Sequence, residues 1–401
     1  MGLPAFVRII LFRIEAGMLI EFKNNRRLAT IDIFRGLAIA CMLLVNALPN
    51  FELSYPLLVH APWSGLTIAD LAFPGFVFIM GVAASLWFPK HEREHFGDKF
   101  NIILRRSLLL IMIGFFLNQF NLWLDYIYNP AAGSSLLDAV FDHGRVMGVL
   151  QRLGLVYFWG MIIVWWLRSE KLIAIMALLL LVVSSTGFHL YNAPHPFSPD
   201  NNISMFIDSL FPGAAHCYMG QAFDPEGLYG TIAATASFLW GIIAGHQLTM
   251  KSAPTFERVQ MLWISGTVLF IAGGLWSYGD IISKQLWTAP FVLFTSGGFM
   301  WGLGLLEMGL NLFPDFTRWL FTPCSILGLN PLVMFILPDT VLMWLWLLQV
   351  NGEPFYPWLW EMTLKDAMDV PLSIFLYALL WTALWLPVAK FLHKRQIIFK
   401  L

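Results

Sequence analysis

Charged residues are scarce in this chain: Asp, Glu, Lys and Arg make up 12% of its 401 residues, against roughly 25% in soluble domains. Hydrophobic residues make up 58%, more apolar surface than a soluble protein of this size can hide, so lipid is expected to solvate much of the chain. The net charge of −1 offers no basic surface, and no nucleic-acid partner is expected. The composition indicates an integral membrane protein.

Cysteine and several nucleotide or hydrolase motifs are also sparse or missing. The three cysteines, Cys41, Cys217 and Cys324, lie in separate segments without CxxC or metal-ligand spacing, so neither a metal site nor a disulfide framework is expected. The chain contains no Walker A loop, Rossmann fingerprint, HExxH or GxSxG, which are the signatures of ATP-driven pumps, dinucleotide enzymes, zinc proteases and serine hydrolases.

Long apolar runs are what the chain has instead. Those long enough to cross a bilayer lie near residues 31–48, 66–88, 103–122, 146–167, 171–188, 228–248, 259–277, 287–309, 319–348 and 371–392. The ninth run contains Pro323, Pro331 and Pro338, so we expect one broken or kinked span, since irregular backbone is tolerated in a membrane where it lines a cavity. The predicted fold is all-α and polytopic, with about ten transmembrane helices.

Lysine and arginine collect in alternate loops and indicate the orientation. The basic loops lie on the cytoplasmic side when both termini are inside, whereas the other loops are longer, more acidic and hold little basic charge beyond Lys284 and Lys365. The predicted topology is therefore N-in/C-in, with a substrate meeting the long outer loops. Residues 1–26 are interpreted as a cytoplasmic or interfacial segment and residues 27–401 as the transmembrane domain.

Three polar residues near the outer ends of spans are candidates for chemistry. His60 precedes a helix start, where a neutral imidazole can act as a general base; a loop histidine bonded to backbone is the alternative. Thr67 to Asp70 has capping-box spacing, so Asp70 caps the helix, orients His60, or does both. Asn46 can donate to a developing oxyanion or bond a neighbouring helix.

Charged residues in or beside other spans have two interpretations each. Asp32 and Arg35 are one helical turn apart and can pair, while Arg35 can also meet an anionic ligand. Arg152 lies inside the fourth apolar run, where a charge is costly, and suits either phosphate or a buried carboxylate. Asp224 and Glu226 occupy an outer turn that either binds a polyol or amine or simply starts the next helix.

Several of these residues fall within motifs that occur together in one family. The motifs are, in order, RLATIDIFRG at 27–36, Asn46, HAPWSGLTIADLAFPGFVFIMG at 60–81, GVLQRLG at 148–154 and FDPEGLYGT at 223–231. From about residue 27 to the C-terminus the chain closely resembles the heparan-α-glucosaminide N-acetyltransferase family of transmembrane acyltransferases. The first span also resembles that of the wider acyltransferase superfamily, where a DxxRG motif opens the first conserved helix.

The resemblance implies an N-acetyltransferase that moves acetyl from cytosolic acetyl-CoA to the amine of a glucosamine-type sugar on the other side of the membrane. It implies catalytic roles for His60, as general base or acyl carrier, for Asn46 as oxyanion donor and for Asp70. Acetyl-CoA is polyanionic, so its thioester has to reach His60 through the helix bundle with the nucleotide held inward. The residues expected to bind the cofactor are Arg35, Arg105, Arg106 and Arg152, and those expected to bind the sugar are Trp63, Asp224 and Glu226.

The resemblance also guides the expected setting. Lysosomal members carry an additional luminal domain and one more leading helix, so this chain is expected to be a bacterial type of the cytoplasmic (inner) membrane, with no metal. The glycine-rich face at 296–302 permits close helix packing within one chain or in a homodimer. The alternative function is an inner-membrane transporter of amino sugars such as N-acetylglucosamine, which would work without CoA.

Overall fold

The computed structural model describes residues 26–91, 96–128, 136–250 and 252–399. Residues 1–25, which make up nearly all of the expected N-terminal segment, lie outside the described residues.

The described part of the chain is mainly helical. Its α-helices are α1 Arg26–Asn46, α2 Ala72–His91, α3 Phe96–Tyr128, α4 Leu136–His143, α5 Val149–Leu167, α6 Glu170–Tyr191, α7 Ile203–Leu210, α8 Leu228–Thr249, α9 Thr255–Trp276, α10 Ala289–Leu312, α11 Pro314–Gly328, α12 Pro331–Leu347, α13 Phe355–Thr363 and α14 Val370–Lys394. Short 3-10 turns span Pro56–Leu58, Ala69–Leu71, Ala214–His216 and Tyr218–Gly220. A small hairpin pairs β1 Gln349–Val350 antiparallel with β2 Glu353–Pro354, joining Gln349 to Pro354 and Val350 to Glu353.

The predicted all-α, polytopic architecture is confirmed. Within the described residues nine helices are long and apolar enough to span a bilayer, and a tenth span results if α11 and α12 count as one. These two helices meet at a bend of 76°, as expected for the broken ninth span. The bend lies at Leu329 and Asn330, and Pro331 starts α12, a position where proline costs no helical hydrogen bond. Pro323 and Pro338 are accommodated inside the two helices.

Helix α8 lies at the centre of the bundle. In its apolar window 89% of the residues are buried, against 28% in α6 and in α9, whose remaining surface is apolar and suited to lipid. Glycines allow α8 to approach α2 closely: a Cβ on Gly241 would collide with the carbonyl of Phe78, and a Cβ on Gly81 with that of Phe238. Such small-residue contacts replace the hydrophobic effect as the basis of helix association in lipid.

Helix α1 crosses α11 equally closely, and this contact positions the site. A Cβ on Gly36 would collide with the backbone of Cys324, and one on Gly328 with the backbone of Asp32. Arg35 and Asn46 are eleven residues apart on α1, which at 1.5 Å per residue is about 16 Å along its axis. One helix therefore carries a cation toward one end of the bundle and an amide at the other.

Candidate active site

The predicted pair of His60 and Asp70 is joined by a hydrogen bond. His60 Nδ1 lies 2.8 Å from Asp70 Oδ1, and Asp70 is 1% exposed whereas the imidazole is 47% exposed. An ionised carboxylate can only accept a hydrogen bond, so Nδ1 carries the ring proton and Nε2 presents a lone pair. This is the arrangement of a histidine held in one tautomer by an acid and ready to accept a proton.

Asp70 also organises the backbone around it. Its Oδ2 accepts hydrogen bonds from the Ala61 N–H at 3.2 Å, the Thr67 N–H at 3.1 Å and the Thr67 hydroxyl at 3.0 Å. One half of the expected capping box is formed, since the Asp70 carboxylate accepts from the Thr67 N–H. The other half is missing, because the Asp70 N–H bonds the Thr67 carbonyl and the Thr67 hydroxyl donates to the carboxylate. Capping and orienting are therefore shared between the two oxygens of one carboxylate.

His60 opens into a cavity of about 570 Å³, named the outer cavity after the side on which the loop of His60 is predicted to lie. Its volume is within the size range of small-molecule sites, roughly 300–1,000 Å³. Asn46 and Glu226 face the same cavity, so the structure brings four of the predicted site residues together. The remaining polar lining is contributed by the following side chains: Arg145, Tyr218, Gln221, Lys284, Gln285 and Asp339.

Lys284 is a prominent member of this site that the sequence motifs do not indicate. Its Nζ lies 3.2 Å from both ring nitrogens of His60 and 4.0 Å from Asp70 Oδ1. Burial lowers the pKa of Lys284, against the opposing charges of Glu226 and Asp70. The available signal was its position as a rare lysine in an otherwise acidic set of outer loops.

Asp339 is the second residue that sequence reasoning missed. It lies in α12, lines the outer cavity and is close enough to the side chain of Asn46 to accept a hydrogen bond from its amide. A carboxyl group inside a membrane span is a functional candidate by default, and this signal was present in the ninth apolar run. Asn46 thus has an acid partner, as His60 has Asp70.

The two acids of the outer turn have different surroundings. Arg145 binds both oxygens of Asp224, at 2.8 and 2.7 Å, and Glu226 Oε2 at 2.6 Å. Asp224 is fully buried and also accepts from the backbone N–H groups of Tyr218 and Glu226. Glu226 is the member that reaches the cavity, so Asp224 supports the turn from beneath.

Charge pairing sets the protonation of this outer turn. Burial alone would lower the pKa of Arg145, but its hydrogen bonds to Asp224 and the nearby acids raise it. The pKa of Asp224 is lowered because the hydrogen bond and charge of Arg145 outweigh burial. Asp208 accepts from the Asp224 N–H at 2.9 Å, and burial raises its pKa to about 6.

Two of the predicted binding residues, Arg152 and Trp63, do not line the outer cavity. Arg152 is fully buried, donates to the Gly227 carbonyl at 2.9 Å and lies 5.1 Å from the centre of the Trp287 ring. Trp63 donates its indole N–H to the Phe197 carbonyl at 2.9 Å. Arg152 therefore fastens the turn at Gly227 to α5, and Trp63 joins two loops to each other.

An inner cavity of about 260 Å³ lies farther along the bundle. Arg35 and Arg106 line it; Arg35 pairs with Asp32 at 2.5 Å and donates to the Gly328 carbonyl, and Arg106 donates to the Tyr157 hydroxyl at 3.3 Å. The neighbouring Arg105 is exposed. The other lining residues are apolar apart from that hydroxyl: Phe76, Ile79, Met80, Ala83, Leu110, Val149, Leu150, Leu153, Pro331, Leu332, Phe335 and Phe399.

The two cavities lie back to back. Phe76, Val149 and Phe335 line both of them, so three apolar side chains, here called the waist, separate two adjoining cavities. The two cavities together, here called the column, extend from Arg35 and Arg106 toward His60. Such a column suits an extended ligand with an anionic end, a flexible arm and a reactive end. Most of its ionisable side chains lie at the His60 end, whereas the polar groups at the other end are Arg35, Arg106 and the Tyr157 hydroxyl.

Comparison with known proteins identifies enzymes that are similar to this chain. No protein-family model matches it. The chain is similar to heparan-α-glucosaminide N-acetyltransferase of Homo sapiens, with 27% identity in an alignment of 435 positions, gaps included. The alignment covers 94% of this chain and 60% of the relative. The Mus musculus enzyme of the same name is 26% identical over 433 residues, covering 94% and 61%. The chain therefore spans about three fifths of the length of these relatives, and the resemblance to these enzymes extends over 94% of the chain.

Proposed function

We propose, from the premise that this chain is a homologue of the heparan-α-glucosaminide N-acetyltransferases, that it is a membrane-embedded enzyme transferring acetyl from acetyl-CoA to the amine of an amino sugar. The observation that carries the proposal is the pair of adjoining cavities, with His60 and Asp70 at one end and Arg35 and Arg106 at the other. A thioester bound in the column would approach His60 from the inner cavity, whereas a sugar would approach it from the outer cavity.

The inner cavity supports the binding of the CoA arm. Arg35 and Arg106 supply guanidinium groups for phosphate, with which arginine forms strong hydrogen bonds. The apolar walls suit the pantetheine chain, and the waist at Phe76, Val149 and Phe335 is where the acetyl group would enter the outer cavity. The separation of about 16 Å between Arg35 and Asn46 along α1 is of the order that an extended arm can bridge.

The outer cavity supports the chemistry of acyl transfer. The sugar amine attacks the thioester carbonyl, its N–H proton passes to His60 Nε2, and the carbon–sulfur bond breaks as the tetrahedral intermediate collapses. The proton then moves from His60 to the departing sulfur, which leaves as CoA thiol. Asp70 stabilises the imidazolium that forms meanwhile, and Asn46 donates to the carbonyl oxygen as it becomes negative.

Recognition of the sugar is assigned to the polar wall beneath the outer loops. Glu226 can accept from an amine or hydroxyl, while Asp224 and Arg145 hold the turn that carries it. The distribution of Lys and Arg supports an outer position for this wall and cytoplasmic termini. In a bacterial cell that arrangement corresponds to the periplasmic side of the inner membrane.

The test is acetylation by purified protein supplied with acetyl-CoA and glucosamine. The wild-type chain is expected to form N-acetylglucosamine and free thiol in equal amounts. His60→Ala should lose at least about 10³-fold in kcat, the scale seen when a general base is removed from a preorganised site. His195→Ala, at an exposed outer-loop histidine, is the matched control and should retain full activity. Unchanged turnover by His60→Ala would refute this role.

A transporter is the second candidate because two cavities adjoin each other inside the bundle. Proteoliposomes separate the two functions. Uptake of N-acetylglucosamine in the complete absence of CoA would favour transport, whereas release of thiol in step with sugar acetylation, and no uptake without CoA, supports the enzyme.

A further inference from the structure

Lys284 is a partly buried cation next to the reactive end of the site, and neither the motifs nor the comparisons assign it a role. We propose that Lys284 is a catalytic residue whose ammonium group donates a hydrogen bond to the acyl oxygen as negative charge develops there. This inference rests on the proposed acyl transfer at His60. It adds a charged donor to the neutral amide of Asn46.

The position of the ammonium group is the first step of the argument. Lys284 Nζ lies 3.2 Å from His60 Nε2, the ring nitrogen that Asp70 leaves free. An amine delivering its proton to Nε2 has to sit within hydrogen-bond distance of that atom, about 3 Å. The carbonyl carbon that this amine attacks then lies about one bond length beyond the amine nitrogen. The carbonyl oxygen therefore comes within hydrogen-bond distance of Lys284 Nζ. Lys284 and His60 therefore both border the position that the reacting carbonyl group would occupy.

The charge balance of the described residues is the second step. Among them the nearest carboxylate to Lys284 is Asp70, at 4.0 Å, and both Asp70 oxygens already accept bonds from His60, Ala61 or Thr67. Glu226 is bound to Arg145. The ion pair of Lys284 with Asp70 is therefore long and shared, and a partly buried charge with so weak a counterion is costly, so the position favours a group whose anionic counterpart appears during the reaction.

The attachment of the lysine is the third step. Its loop, residues 277–288, is bonded to the loop that carries His60: the Gly65 N–H donates to the Ile282 carbonyl at 2.8 Å, and the Gln285 side chain donates to the Pro62 carbonyl at 2.6 Å. Within this loop the Ser283 N–H donates to the Thr288 hydroxyl at 3.0 Å. A donor fixed in advance costs no reorganisation when charge develops, which is the condition for strong electrostatic catalysis.

Lys284 and Asn46 approach the cavity from different elements. Asn46 ends α1 and is held by Asp339 of α12, whereas Lys284 belongs to the loop before α10. A carbonyl oxygen bound between them would receive two donors from two directions, as an oxyanion hole requires. The lysine would be the stronger of the two because a charged donor forms roughly twice as strong a hydrogen bond as a neutral one.

The experiment compares Lys284→Met with wild type and with Lys365→Met. Lys365 is an exposed lysine of another outer segment, paired with Glu361, and is the matched control. Lys284→Met should lower kcat by about 10²–10³-fold, the cost of removing one oxyanion donor, with each KM within about threefold of wild type. Lys365→Met should match wild type.

Rescue separates catalysis from folding. Lys284→Cys treated with 2-bromoethylamine regains an ammonium at nearly the original distance and should recover at least about a tenth of wild-type kcat; treated wild type controls for the three native cysteines. Full kcat in Lys284→Met, or no recovery in a modified, folded Lys284→Cys, would overturn the proposal. A wild-type chain that acetylates no amino sugar would instead overturn the proposed function.

Discussion

The outer and inner cavities share three side chains but differ in almost every physical property. The outer one is lined by Lys284, Arg145, Glu226, Asp70 and Asp339 together with the imidazole, most of them bonded to one another. The inner one is apolar except for two guanidinium groups and a tyrosine hydroxyl. The comparison teaches that one cavity is arranged for chemistry and the other for holding a long ligand.

This contrast has a consequence for kinetics. A substitution in the outer cavity should change interactions made in the transition state, and therefore kcat, whereas one in the inner cavity should change binding of the cofactor, and therefore its KM. The following predictions test that division, beginning with the largest effect.

Loss of the Asp70 carboxylate should have the largest effect. In Asp70→Asn the amide can donate to Nδ1, which selects the wrong tautomer of His60, and we expect kcat to fall by about 10³–10⁴-fold. The KM for acetyl-CoA should stay within about threefold, as measured by thiol release. Asp200→Asn, at an exposed loop aspartate, is the control. A large rise in KM with normal kcat would contradict the division.

The acid partner of Asn46 should matter less. Asp339→Asn keeps the size of the side chain but removes the carboxylate that holds the amide, so kcat should fall about 10-fold through loss of orientation. Steady-state kinetics in detergent or nanodiscs measures this, with Asp366→Asn, at an exposed outer-loop residue, for comparison. If Asp339→Asn matched Asp366→Asn, Asn46 would not depend on its partner.

The inner cavity offers a control one residue away. Arg106→Gln should raise the KM for acetyl-CoA about 10-fold, because a charge-assisted hydrogen bond contributes roughly 1.5–3 kcal/mol, and leave kcat nearly unchanged. Arg105→Gln alters the adjacent exposed arginine and should leave both constants unchanged. Equal effects of the two substitutions would indicate a general electrostatic attraction and no cofactor site at Arg106.

The smallest predicted effect concerns stability and pH. The pKa of Asp208 is about 6 in the folded chain, above the ordinary value of about 3.9. A raised folded pKa contributes stability that is present below pH 4 and lost as pH rises through 6. The stability of wild type relative to Asp208→Asn, measured by thermal unfolding, should therefore fall by about 3 kcal/mol in total, mostly between pH 4 and 7, because one pKa unit corresponds to about 1.4 kcal/mol. A flat difference would contradict the burial of this carboxyl.

Sequence reasoning predicted the spans, the break within the ninth span and several polar residues that the structure brings together in one cavity. Apolar runs and prolines are local signals, and the family motifs carry His60, Asp70 and Asn46. Local spacing also gave the pairing of Asp32 with Arg35, which are one turn apart on α1.

The remaining features depend on contacts between distant parts of the chain. Lys284 is 224 residues from His60, and the sequence contains no pattern that joins their loops. For Arg152 the cost of a buried charge indicated a partner but could not distinguish a phosphate from the Gly227 carbonyl and Trp287 ring that it contacts. Asp224 and Glu226 looked equivalent, and only packing showed that one is buried beneath the other.

The central claim is that a thioester reaches His60 through the column between Arg35 and the outer cavity. A cryo-EM structure of the chain with a non-hydrolysable acetyl-CoA analogue tests it most directly. The account predicts phosphate density at Arg35 and Arg106, an arm passing Phe76, and the acyl carbon within about 3.5 Å of the amine position beside His60 Nε2. A nucleotide bound at the outer mouth, with the inner cavity closed and empty, would contradict it.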